Sequence, residues 1–72
     1  MKKLKKIKIK VNGKTHTFID KSTLYELINN LKIPVKKVAI ELNKEIVNKK
    51  ELKKIKLKNN DVIEIVHFIG GG

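Results

Sequence analysis

One segment of this 72-residue chain carries a helical period, and most of the apolar residues around it alternate instead. Leu24, Leu27, Ile28 and Leu31 fall at i, i+3, i+4 and i+7, a single apolar stripe on a helix of about ten residues. Thr23 and Glu26 stand before it in capping-box relation, so that hydroxyl and carboxylate each satisfy an orphan backbone N–H. Pro34 is expected to end the helix, because a proline pushes the residue before it out of the α region. A lone amphipathic helix needs a surface to cover, and the rest of the chain has to supply it.

That surface reads as a sheet. From Lys6 to Val11 the pattern alternates strictly, Ile7, Ile9 and Val11 against Lys6, Lys8 and Lys10, which is a half-buried strand with a wet outer face. Asn12-Gly13 is a strong hairpin signal, because a type I′ turn needs φ > 0 at both central positions. Thr15 to Ile19 is the returning strand. After the helix, Val38, Ile40 and Leu42 point inward, Asn43-Lys44 turns, and Ile46-Val47 is a short edge strand. Lys49 to Lys54 forms one helical turn around Leu52, and Ile55 and Leu57 pack back. Asn59-Asn60-Asp61 is a turn, and Val62 to Phe68 is the last and most apolar strand. The order ββαβ(β)β, with one helix over a mixed sheet of four to five strands, is an α+β two-layer arrangement and fits a β-grasp (ubiquitin-like) fold.

Size and charge narrow the function. A chain near this length buries only about 60% of its unfolded surface, which leaves little for an enclosed active site. The absence of cysteine excludes disulfides and thiolate zinc sites and fits a reducing compartment. No apolar run approaches the roughly 20 residues of a membrane span, and the Lys-rich start lacks a signal peptide's continuous apolar region, so a cytoplasmic location is expected. The formal charge of +11 comes from 18 lysines and no arginine, and Lys, Asn and Ile make up half the chain. Nucleic-acid binding by counterion release is one reading of that charge. Arginine is missing for bidentate base contacts, however, and Phe18, Tyr25 and Phe68 are too scattered for a stacking platform, so a solvated lysine surface is favoured. Paired catalytic carboxylates, a nucleophile elbow and a phosphate-binding glycine loop are all missing, and His16 and His67 have no ligand cluster around them.

The end of the chain is the informative part. Alternation puts Ile63 and Ile65 on one face of the last strand, and Val62, Glu64, Val66 and Phe68 on the other. Glu64 is costly to bury unpaired, so its face is the wetter one, and Val66 and Phe68 become exposed apolar side chains fit for a partner. His67 reads as a strand-end side chain, half covered. Gly70-Gly71-Gly72 has no folding rationale, since glycine costs the most entropy to order and packs nothing. A thin, flexible tail that threads a partner's active site explains it, and three extended residues reach roughly 10 Å. The reactive group is then the carboxylate of Gly72, a poor electrophile until an enzyme converts it to an acyl-adenylate. The chain thus divides into one domain, residues 1–69, and a tail, residues 70–72.

These features bring the sequence to a family. Thr23-Leu24-Tyr25-Glu26-Leu27-Ile28, Asn43-Lys44-Glu45-Ile46-Val47, Asn60-Asp61-Val62-Ile63-Glu64-Ile65 and the terminal glycines resemble the ThiS family of sulfur carrier proteins of thiazole (thiamine) biosynthesis. Asn60 stands where that family commonly has glycine, tolerable because Asn also enters φ > 0. The resemblance implies that a ThiF-type adenylyltransferase uses MgATP to adenylate Gly72. A cysteine desulfurase persulfide then supplies sulfur for a thiocarboxylate, and the thiazole synthase ThiG takes that sulfur. On this reading the carrier binds no cofactor and is no enzyme. Gly70 and Gly71 thread the partner, and Glu64, Val66, His67 and Phe68 are the contact candidates. MoaD, the molybdopterin carrier with the same glycine chemistry, is the nearer alternative, but its chains usually run longer and reach their glycines through a proline-containing segment. A small basic nucleic-acid-binding module is the alternative of a different class.

Overall fold

A computed structural model describes residues 5–68. Strands β1 (Lys6–Val11) and β2 (Lys14–Ile19) form the first hairpin. Its turn residues have φ of 49° at Asn12 and 81° at Gly13, the left-handed pair that the Asn-Gly dipeptide signals. Helix α1 (Leu24–Asn30) follows, then a 3₁₀ turn at Val35–Lys37, β3 (Val38–Leu42), β4 (Glu45–Ile46), a second 3₁₀ segment at Lys49–Lys54, and β5 (Val62–His67). The β3–β4 hairpin repeats the solution of the first, with φ of 50° at Asn43 and 72° at Lys44. The sheet order is β2-β1-β5-β3-β4, so the last strand of the sequence lies at its centre, parallel to β1 and antiparallel to β3. This is the expected β-grasp.

The capping box is present in full: Thr23 N–H donates to Glu26 Oε1 at 2.8 Å and Glu26 N–H to Thr23 Oγ1 at 3.1 Å. The helix is shorter than its periodicity suggests, and Pro34 does not end it. It stops earlier, in a Schellman motif: Lys32 takes φ 57°, its N–H donates to Asn29 C=O at 3.1 Å, and Ile33 N–H reaches Ile28 C=O at 3.0 Å. Pro34 instead caps the 3₁₀ turn that leads into β3.

Helix residues Leu24, Leu27 and Ile28 bury against the inward-facing residues of the three central strands, among them Ile9, Ile40 and Ile63. Leu52 and Leu57 close the end of this core, which explains why the 3₁₀ segment folds back beneath the helix. Among the described residues, the opposite face of the sheet carries no helix. Cross-strand register places Lys6, Lys8, Lys10, Thr15, Thr17 and Ile19 on its β1–β2 half.

Candidate functional site

The second half of that uncovered face is a different surface. Along β5 it presents Val62, Glu64 and Val66, and register adds Ala39 and Glu41 from β3 and Ile46 from β4. Val66 is 54% exposed and Ile46 71% exposed, two bare apolar side chains on one face of the sheet with β3 between them. The row of β1 lysines ends at Lys10, opposite Val62, so no strand lysine lies across from Glu64. Instead Glu64 lies directly opposite Glu41, a like-charge pair that costs stability in a chain with only seven acidic residues. Apolar side chains around this carboxylate pair make a face suited to a partner with an apolar contact and a basic group.

The structure brings Glu64 and Val66 together as expected and separates His67 from them. His67 pairs with Val38, on the helix side of the sheet, because side chains alternate along a strand. It is also exposed rather than half covered. Phe68 follows the end of β5. Its N–H donates to Lys37 C=O at 2.9 Å, and Lys49 Nζ sits 5.2 Å from its ring centroid, a cation–π contact. Lys49 also lines an open depression of ≈ 450 Å³ with Tyr25, Val35, Leu52 and three further lysines, Lys36, Lys50 and Lys53. The ring, 54% exposed, is thus a junction between the acidic sheet face and a lysine-rimmed hollow. Gly70, Gly71 and Gly72 lie outside the described residues.

Three asparagines that the sequence marks only as turn formers hold the ends of the central strands. Asn43 Oδ1 accepts Val62 N–H at 2.9 Å, and its Nδ2 donates to Asp61 Oδ1 at 3.0 Å. Asp61 is buried, and its other oxygen accepts Lys58 N–H at 2.7 Å. That closes the turn in which Asn60 adopts φ 72°, the conformation glycine would otherwise supply. Asn59 Oδ1 accepts Lys8 N–H at 2.8 Å, and the Asn12 side chain reaches Ile65. The Asn-Gly and Asn-Lys spacings signalled the turns but not these partners, which depend on strand order. Ile46 and Glu41 were missed for the same reason. His16 is half-buried in β2, its ring centroid 6.4 Å from that of Phe18, and among the described residues no group of three His, Cys, Asp or Glu could hold a metal. No helix among them is long and apolar enough to cross a membrane.

Comparison with known proteins meets this geometry from outside. The ThiS family model matches residues 9–72. The sulfur carrier protein ThiS of Bacillus subtilis is 40% identical over 65 residues, covering 89% of this chain and 98% of that protein. A thiazole synthase of Magnetococcus marinus is 41% identical over 66 residues, which are 92% of this chain and 20% of that longer protein. In the crystal structure of the thiamine biosynthesis protein ThiS from Geobacter metallireducens, all of that chain superimposes on 92% of this one, with a TM-score of 0.80 and 30% identity. Motifs, sheet order and relatives agree, and the chain belongs to the ThiS family.

Proposed function

We propose that this chain is a sulfur carrier of thiamine biosynthesis that works through its terminal glycine, as substrate rather than catalyst. The domain of residues 1–69 is held by a partner while residues 70–72 enter that partner's active site. A ThiF-type adenylyltransferase joins AMP from MgATP to the Gly72 carboxylate and releases pyrophosphate. The terminal sulfur of a cysteine desulfurase persulfide then attacks the acyl-adenylate and expels AMP, and a thiol reductant cleaves the resulting acyl disulfide to leave the thiocarboxylate. ThiG accepts the sulfur for the thiazole ring, a pairing supported by the similarity to a segment of a thiazole synthase. Each step belongs to a partner, which is why a domain with little room for a catalytic pocket suffices.

One observation carries the reading: the exposed apolar and acidic face of β5 and its neighbours lies on the strand that precedes Gly70-Gly71-Gly72 in the sequence. A partner seated on Val66, Glu64 and Ile46 holds the strand that precedes the tail in the sequence. Lys49 against Phe68 extends the contact around the strand's end, and His67 offers a second, separate one. The lysine-rich surface attracts an acidic enzyme over long range, an effect that salt screens.

Intact-mass measurement tests the proposal. Incubation with a ThiF-type adenylyltransferase, MgATP, a cysteine desulfurase, cysteine and a thiol reductant is expected to yield a species in which sulfur replaces one oxygen. Deletion of Gly71 and Gly72 is expected to abolish it. If the chain takes neither AMP nor sulfur but binds single-stranded or duplex nucleic acid tightly at physiological salt, the carrier reading is wrong and the basic-module reading replaces it.

A further inference from the structure

The last strand leaves the sheet with unequal support on its two sides. Toward β3, pairing continues to the strand's end, with Val38 opposite His67 and Phe68 N–H on Lys37 C=O. Toward β1, the ladder covers only Lys10–Val62 and Val11–Ile63, because β1 turns away at Asn12. Backbone groups alternate in direction along a strand, so those of Ile63 and Ile65 face β1. Ile63 C=O accepts Asn12 N–H at 2.9 Å, and at the next rung, Ile65, there is no strand residue to pair with.

Asn12 fills that rung with its side chain. Its Oδ1 accepts Ile65 N–H at 2.6 Å and its Nδ2 donates to Ile65 C=O at 3.2 Å. A primary amide has a peptide's donor and acceptor, and here it takes a peptide's place at the end of the parallel ladder. The turn alone does not require this residue, since Asn, Asp and Gly all accept its left-handed φ of 49°. Of the three, only Asn offers both a donor and an acceptor to Ile65.

We propose that Asn12 is a positioning residue for the reactive end of the carrier, its amide fixing the direction in which the chain leaves the sheet at Phe68. The inference rests on the carrier reading. Without the amide, β5 beyond Ile63 is held from one side only, and a smaller fraction of molecules presents the strand's end in the docking direction. Apparent affinity falls by that fraction, whereas a carrier already seated reacts as before. The signature is therefore a raised KM for the carrier at unchanged kcat.

The test uses Asn12→Gly, which keeps the turn's left-handed backbone, and Asn12→Asp, which keeps the acceptor but sets an oxygen against Ile65 C=O. Thr23→Ala is the comparison: it opens the capping box of α1 and destabilises the domain without touching β5. Hydrogen exchange at the Ile65 amide is read against Val66, whose N–H faces β3. Adenylation by a ThiF-type enzyme with MgATP is read as KM for the carrier and kcat. In Asn12→Gly, Ile65 is expected to exchange about tenfold faster relative to Val66, with KM raised several-fold and kcat retained. Asn12→Asp is expected to shift both in the same direction, and Thr23→Ala neither. Unchanged Ile65 exchange in Asn12→Gly, or a KM no higher than that of Thr23→Ala, overturns the inference while leaving the carrier reading intact. A wild-type chain that accepts no AMP overturns the carrier reading, and the positioning role falls with it.

Discussion

The Asp61–Asn43 pair makes a prediction that geometry fixes closely. Both Asp61 oxygens accept, one from Lys58 N–H at 2.7 Å and one from Asn43 Nδ2 at 3.0 Å, in a residue only 9% exposed. In Asp61→Asn the new amide has one acceptor for two donors. Whichever way it turns, its NH₂ faces one of the two N–H donors. The loss of a hydrogen bond to a charged acceptor, with a donor left unsatisfied, is worth about 2 kcal/mol. Asn43→Asp alone is expected to cost as much, since it sets two carboxylates together. The double exchange reverses the direction of the bond instead. The carboxylate then at position 43 would accept from Val62 N–H and from the amide NH₂ at position 61, whose oxygen would accept from Lys58 N–H. Net charge returns to that of the wild type, so only the pairing differs. The double variant is expected to lie within about 1 kcal/mol of wild type, a coupling of roughly 3 kcal/mol. Urea unfolding at neutral pH with an unchanged slope reads these values, and each single variant should also melt roughly 10 °C lower. If the two losses simply add in the double variant, the hydrogen-bond account of this turn is wrong.

Other consequences are simpler to state. Lys32→Gly removes the cost of a left-handed L-residue at the helix end and is expected to stabilise the domain by about 0.5–1 kcal/mol in thermal or urea unfolding; destabilisation would refute the Schellman assignment. Val66→Asp puts a third carboxylate beside Glu64 and Glu41 on an exposed face. Stability is expected to change by no more than about 1 kcal/mol, while binding to the adenylyltransferase, followed by titration calorimetry, weakens at least tenfold. Phe68→Ala is expected to leave unfolding within about 0.5 kcal/mol and also weaken docking; loss of the fold would show that the ring is a core residue after all.

The elements were legible in the sequence because their signals are local. Ile7, Ile9 and Val11 alternate, Asn12-Gly13 and Asn43-Lys44 can only turn, and Thr23 with Glu26 caps a stripe of leucines. The helix end was not, since Lys32 carries no mark of its left-handed backbone and Pro34 offered a plausible substitute. The separation of His67 from Val66 follows from a period of two. The rest of the docking face depended on which strands are neighbours. Only with β5 between β1 and β3 does Glu41 meet Glu64, Ile46 join the face, and Asn12 come within reach of Ile65. Strand order is a long-range property, and no window of neighbouring residues encodes it.

That order has a consequence for how the protein is made. β5 leaves the ribosome after the other four strands of the sheet, yet it is the one that joins the β1–β2 hairpin to β3. Until Val62 to His67 are available the two halves of the sheet share no strand, and the helix has only half a surface to cover. Folding therefore waits for nearly the whole chain, as expected of a topology whose central contacts span most of the sequence. Nascent chains stalled with residues 60 onward still in the exit tunnel should be fully cleaved by protease, and chains stalled with Phe68 well outside should resist it. Protection before β5 emerges would mean that the halves fold alone.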